Sequence, residues 1–202
     1  ENKELDYSKA KTQRVPEENR FEKINLVVGE FTEPTEMTIL PNLDILIAQR
    51  RGEVMLYKNG DSTVREIAKL DVYWKTSTPG VNAEEGLMCI QKDPNFAENN
   101  FIFMYYSPTG KEVNRLSRFK FENDKLDLAS EKIILELFSQ REICCHTGGS
   151  IAFDKDGLLY LSTGDNSTPF DQRDSKFVNR GFAPLDNRDG FEQYDARRSS
   201  GN

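Results

Sequence analysis

A chain of 202 residues with 37% hydrophobic and 30% charged residues is long enough to bury a sizeable core. No run in it approaches the roughly 18–20 apolar residues that a membrane-spanning helix requires. Acidic residues outnumber basic ones by 34 to 27, a formal net charge of −7 with no basic stripe, which speaks against nucleic acid or an anionic membrane as partner.

Residues 1–20 are polar and charged, carry almost nothing to bury, and read as a flexible leader. The chain begins at a glutamate, which points to processing or cutting of a longer precursor, so the missing signal peptide does not fix a location. From residue 24 the character changes to short β-like runs separated by turns. "MTIL", the turn "PNLD", "ILIAQ", "EVMLYKNG" and "VREIAKL" read as an antiparallel meander of four strands. The pattern recurs with "GLMCI", the connection "QKDPNFAENN", "FIFMYYS", "RLSRFKFE", the turn "NDK" and "KIILELF". It begins a third time with "GGSIAF", "DKDG" and "LLYLST".

Equivalent turns near Pro41, Asn99 and Asp156 set a period close to 58 residues. Each four-stranded unit has an apolar face that it cannot bury alone, and radial stacking of such units predicts an all-β chain built as a β-propeller. A β-sandwich, which also shows short strands between turns, is the alternative. The units span about 24–75, 84–140 and 146–202, so residues 21–202 hold about two and a half blades, the last with a long loop over 166–202. A closed propeller needs at least about four blades, and the chain is therefore expected to be a fragment.

The chemistry-bearing residues cluster at the beginnings of these units. His146 is the only histidine, and in "HTGG" it sits beside small residues that leave room for a substrate, so it is either a general base or a polar residue of a turn. "NAEEG" places Glu84 and Glu85 at the equivalent mouth of the second unit, where the pair could orient the imidazole, bind a sugar hydroxyl, or simply be solvated. Asp165, Asn166 and Asp171 are oxygen ligands of the kind calcium favours, without the spacing of an EF-hand loop. The three cysteines, Cys89, Cys144 and Cys145, are too few for a disulfide scaffold and lack zinc-site spacing. They leave open a vicinal Cys144–Cys145 bond, a bond from one of these to Cys89, or reduced thiols. A nucleophilic Cys145–His146 pair is disfavoured, because neighbours in an extended segment point to opposite faces.

Three stretches, "EPTEMTILPNLDILIAQRRGEVMLYK", "EEGLMCIQKDPNFAENNFIFMYYSP" and "CCHTGGSIAFDKDGLLYLSTGD", together resemble the opening blades of the soluble quinoprotein glucose and sorbosone dehydrogenases over roughly residues 24–165. That resemblance implies a six-bladed propeller that holds pyrroloquinoline quinone (PQQ) with calcium and oxidises an aldose or related sugar alcohol or aldehyde. His146 matches the family's base in its H-x-G-G stretch, and Glu84 stands where the glucose enzyme has a pocket glutamine. Cys145 replaces an aspartate, Cys89 replaces a glycine, and "PNL" replaces the usual P-D-G. The quinone clamp and most calcium ligands of the family fall in later blades, so the 202-residue fragment is expected to be inactive. The tail "PLDNRDGFEQYDARRSSGN" resembles multidomain bacterial secreted proteins that carry cytochrome c or carbohydrate-related modules. This implies an extracellular or periplasmic location, a cytochrome c or other electron acceptor as partner, and an oxidising compartment in which Cys144–Cys145 is slightly favoured over a bond to Cys89. A non-catalytic propeller that binds carbohydrate or protein, and a metal-assisted hydrolase using the acidic tail, are the competing functions.

Overall fold

The computed structural model describes residues 20–80, 83–139, 141–142 and 146–164. The first sheet is a meander of β1 (Pro34–Ile39), β2 (Ile45–Gln49), β3 (Glu53–Lys58) and β4 (Thr63–Lys69), each antiparallel to the one before. The second repeats that order with β5 (Leu87–Lys92), β6 (Phe101–Tyr106), β7 (Val113–Glu122) and β8 (Lys125–Phe138). A third begins with the hairpin of β9 (Ile151–Phe153) and β10 (Leu159–Leu161).

Turn chemistry explains why the meanders fold back where they do. In "PNLD", Leu43 takes φ 67° and the nearly buried Asp44 carboxylate accepts the Asn59 amide at 2.9 Å and Lys58 Nζ at 2.6 Å, which ties the β1–β2 turn to the end of β3. Asn123 and Asp124 both have positive φ, the requirement of a two-residue hairpin whose twist matches its strands. In "DKDG", Asp154 Oδ1 accepts the Asp156 and Leu158 amides, both at 2.9 Å, and Gly157 supplies φ 80°.

The first strands of successive sheets lie side by side, as blades about a shared axis require. Thr35 Oγ1 donates to the Leu87 carbonyl at 2.9 Å, Thr38 Oγ1 to Gln91 Oε1 at 2.7 Å, and the Ile151 amide to Cys89 Sγ at 3.2 Å. Ser150 Oγ reaches from the third blade to Glu36 Oε2 of the first at 2.8 Å. This is an all-β, partial β-propeller.

The apolar core lies between blades. Leu46, Ala48, Val54 and Leu56 face Leu87, Ile90, Ile102 and Met104, all without solvent exposure. At about 1.5–3 kcal/mol per fully buried large aliphatic side chain, this interface is the main source of stability in the first two blades. The opposite face of the second blade, with Met88, Cys89, Phe103, Tyr105 and Leu116, packs on Ile151, Phe153, Leu159 and Leu161. A bulge between Leu87 and Cys89 lets the consecutive residues Met88 and Cys89 serve that same interface, which strict strand alternation forbids.

Three local expectations change. "QKDPNFAENN" contains a helical turn, α1 (Phe96–Asn99), anchored by buried Phe96 against Phe121 with ring centroids 6.1 Å apart. The outer strand β8 begins at Lys125 rather than near Lys132, because the tight Asn123–Asp124 turn brings the chain straight back onto β7. The two strands of the third blade are each three residues long, shorter than "SIAF" and "LLYLST". The leader up to residue 19 and the loop 166–202 lie outside the described residues.

Candidate functional site

The β1–β2 turn, α1 and the Asp154–Gly157 turn occupy one end of the blades. At the other end the chain enters each first strand, and there the sequence places its candidate residues. The mouth of the second blade is shaped by Arg50, whose carbonyl accepts the Leu87 amide at 2.9 Å. Its guanidinium donates to the carbonyls of Trp74 at 2.7 Å, Glu85 at 3.2 Å and Ala83 at 3.3 Å, and pairs with Glu33 at 2.8 Å. Gly86 crosses this anchor at φ 139°, and a Cβ there would sit 2.0 Å from the Arg50 carbonyl oxygen. Only glycine fits both demands.

So held, the two glutamates diverge. Glu84 stays exposed and its Oε2 accepts the Thr147 amide at 3.2 Å, next to His146. Glu85 is 1% exposed and faces Arg141 Nη1 at 3.7 Å. The expectation that both acids line the mouth is corrected here: adjacent residues entering a strand point to opposite sides, and Glu85 points inward. Burial raises the Glu85 carboxyl and lowers the Arg141 guanidinium, while their mutual attraction opposes both shifts. Arg141 also donates to the carbonyls of Lys111 at 3.3 Å and Val113, to Asn114 Oδ1 at 3.3 Å and to Ser139 Oγ at 3.1 Å, and lies 5.0 Å from the Tyr73 ring centroid. This buried cation is fully engaged.

Beside Arg141, Glu142 adopts φ 60° and sends its carboxylate back to the connection between the first two blades. Oε2 accepts the amides of Ser77 and Thr78 at 2.9 and 2.8 Å and their hydroxyls at 2.9 and 2.7 Å. Oε1 accepts the Tyr73 hydroxyl at 3.0 Å, and that oxygen in turn accepts the Glu142 amide at 3.1 Å. Although partial burial alone would raise it, these donors, led by the Ser77 amide, hold the Glu142 carboxyl down to about 2.

His146 follows, exposed, at φ 58°. The "HTGG" turn is clamped from the far side by Gly164, whose amide donates to the Gly148 carbonyl at 3.0 Å and whose Cβ, if present, would lie 1.9 Å from the His146 carbonyl oxygen. Gly149 lies against the Tyr105 ring, where a Cβ would come within 2.6 Å, whereas a Cβ on Gly148 would meet nothing within 4 Å. The turn is therefore packed on one side and open on the other. Two buried hydroxyls nearby lack a hydrogen-bond partner among the described residues: Thr147 Oγ1, and Tyr105 OH, which lies toward Asn114 without closing a bond of ordinary geometry.

Cys89 is a free, buried thiol at the junction of the second and third blades, pushed up to about 12 by burial. A disulfide to Cys89 would involve Cys144 or Cys145, outside the described residues; the Cys89 sulfur itself is turned into the blade interface, where it accepts the Ile151 amide. Cys144, Cys145, Asp165, Asn166 and Asp171 lie outside the described residues. Among the described residues no group of three or more His, Cys, Asp or Glu side chains is placed to hold a metal ion, and no helix is long and apolar enough to cross a membrane.

Two cavities bear on where chemistry can occur. One of about 520 Å³ is lined by Leu40, Phe96, Phe121 and Asp124 at the far end of the blades, away from His146 and both glutamates. One of about 390 Å³ lies at the mouth between Arg50, Trp74, Thr76 to Thr78 and Ala83, against the segment that holds Glu142. The chemistry-bearing residues single out the mouth despite its smaller volume.

The sequence reading singled out His146 and Glu84 as candidates and passed over Arg141, Glu142 and the segment 73–78. The available signal was the charged pair "RE" before an apolar stretch, together with the hydroxyl-rich "YWKTST", whose donors need an acceptor.

Fold and mouth together define a β-propeller protein with an exposed histidine at one blade mouth, in a turn whose Thr147 amide is held by a carboxylate of the neighbouring mouth. The chain belongs to the glucose/sorbosone dehydrogenase family, whose profile matches residues 31–181. An uncharacterized protein of Synechocystis is 29% identical over 156 residues, 75% of this chain and 37% of that protein. Aldose sugar dehydrogenase YliI of Escherichia coli is 22% identical over 148 residues, 71% of this chain and 38% of that one. Among solved structures, a putative oxidoreductase (glucose dehydrogenase) of Thermus thermophilus superposes with a TM-score of 0.58 at 30% identity, covering 69% of this chain and 39% of that one. The PQQ-bound aldose sugar dehydrogenase of Streptomyces coelicolor gives a TM-score of 0.58 at 21% identity over 72% of this chain and 42% of that one. The chain thus spans about two fifths of the length of these relatives.

Proposed function

We propose that the whole protein to which this chain contributes is a PQQ-dependent sugar dehydrogenase, with His146 as the base that takes the proton of a sugar hydroxyl. The observation that carries this reading is the exposed His146 in a turn fixed by Gly164 on one side and by Glu84, through the Thr147 amide, on the other. A neutral imidazole held this way accepts the hydroxyl proton while the carbon that bears the hydroxyl oxygen loses a hydride and a C=O bond forms; an aldose becomes a lactone. No protein side chain accepts hydride, and the bound quinone supplies that two-electron chemistry.

The described residues fit one side of such a group. Gly148 faces open space, a Cβ there meeting nothing within 4 Å, in the turn that His146 opens and that Glu84 holds through the Thr147 amide. Arg50 and Arg141 are committed to carbonyls and to Glu33 and Glu85, whereas Lys75 lines the mouth cavity. Residues other than the described ones would hold the quinone and calcium. In the same reading the protein has six blades, acts outside the cell or in the periplasm, and passes electrons to a cytochrome c or another acceptor.

Dye-linked oxidation of an aldose panel by the whole protein, with added PQQ and calcium, tests the proposal. Activity that requires the quinone and falls about 10²–10⁴-fold in His146→Ala is expected. Failure of the wild type both to bind the quinone and to reduce dye with any aldose overturns the reading in favour of a propeller that only binds carbohydrate or protein.

A further inference from the structure

We infer that Glu142 is a positioning residue for His146, pinning the loop that carries the imidazole to the connection between the first and second blades. The loop is fastened at both ends to one segment, residues 73–85. Upstream, Glu142 takes two amides and three hydroxyls from Tyr73, Ser77 and Thr78, and its neighbour Arg141 faces Glu85 at 3.7 Å and stacks near Tyr73. Downstream, the Thr147 amide donates to Glu84 at 3.2 Å. Only three residues separate Glu142 from His146, so an anchor at 142 limits how far the imidazole can swing.

The anchor is specific to a carboxylate in two respects. Its partners are all donors, five groups converging on two oxygens, which an amide side chain satisfies only in part and an alanine not at all. The residue also takes φ 60°, a conformation that is strained for a non-glycine residue, so the bonds at its head hold its backbone in place as well. Charge matters too: the donors are uncharged dipoles aimed at one point, the arrangement that stabilises an anion without a neighbouring cation.

This inference rests on the proposed dehydrogenase only for its kinetic readout; the other readout concerns the loop alone. The imidazole signal of His146 is followed by NMR, assigned by its loss in His146→Gln, in wild type, Glu142→Gln, Glu142→Ala and the far-end control Asp124→Asn, at a temperature at which circular dichroism shows all four folded. The signal is expected to shift or split in Glu142→Ala, less in Glu142→Gln, and not in Asp124→Asn. In the active whole protein, kcat is expected to fall about 10–100-fold in Glu142→Ala, the cost of a misplaced reacting group, with KM for the sugar changed less than about threefold. An unchanged His146 signal in folded Glu142→Ala overturns the inference, whatever the activity does. A displaced signal in a protein that oxidises no aldose leaves Glu142 as the pin of the loop and overturns the dehydrogenase reading alone.

Discussion

Gly86 shows how one residue determines what two others can do. With φ 139° and the Arg50 carbonyl 2.0 Å from where its Cβ would be, the position combines a backbone demand with a steric one, and the crossing it permits sends Glu84 outward and Glu85 inward. Gly110 separates the two demands, because it has φ 76° in open space with nothing within 4 Å. Gly110→Ala is expected to cost about 1 kcal/mol for the backbone term alone. Gly86→Ala should cost about 3 kcal/mol or more, because backbone must also move. Urea midpoints at constant slope give both numbers, and equal losses at the two sites would show that the contact with Arg50 has no energetic weight.

Elements differ in how firmly they are held, and the site straddles the difference. The strand β6 is paired on both sides, and its own Ile102 and Met104 are fully buried. By contrast β10 has three residues and pairs with β9 alone among the described strands. Backbone amides of β6 should therefore exchange with solvent at least about 100-fold more slowly than those of β10, since local opening of β10 breaks few contacts. Hydrogen exchange read by mass spectrometry or NMR checks this, and similar protection in the two strands would refute it. Because β9 and β10 carry "HTGG" and Gly164 at their ends, the base turn sits on the less protected element. It is accordingly tied down by side chains from residues 73–85 as well as by Gly164 of its own hairpin.

At the scale of the molecule, the two faces of the first blade contrast. Leu56 is fully buried against the second blade, and Leu56→Ala is expected to cost about 2–5 kcal/mol. On the other face Met37 is 57% and Ile39 47% exposed, and Phe31, Pro34, Met37 and Ile47 line an apolar groove of about 380 Å³. Met37→Ala is expected to change the stability of the 202-residue chain by no more than about 0.5 kcal/mol. Under the six-bladed reading this face is covered in the whole protein, and the same substitution should cost more than about 1 kcal/mol there. Thermal or urea unfolding of both forms makes the comparison. A cost as small in the whole protein as in this chain would count against ring closure over this face.

The sequence alone determined the number, order and meander connection of the strands, and with them the propeller architecture. Those features rest on local physics: alternation of period two, hydrogen-bonding turn residues such as Asp44 and Asp154, and positive φ at Asn123, Asp124 and Gly157. His146 and Glu84 were legible as candidates for the same reason, since each lies in the short lead-in to a strand whose start the pattern marks. The tertiary structure decided which way neighbouring side chains turned and which distant groups met. The Leu87–Cys89 bulge put Met88 and Cys89 on one face, Arg50 parted Glu84 from Glu85, and Glu142 found donors 64 and 65 residues back in the chain. Such pairings leave no periodic trace, because they arise only when one blade packs against the next and brings together backbone amides and hydroxyls that any polar sequence could have supplied.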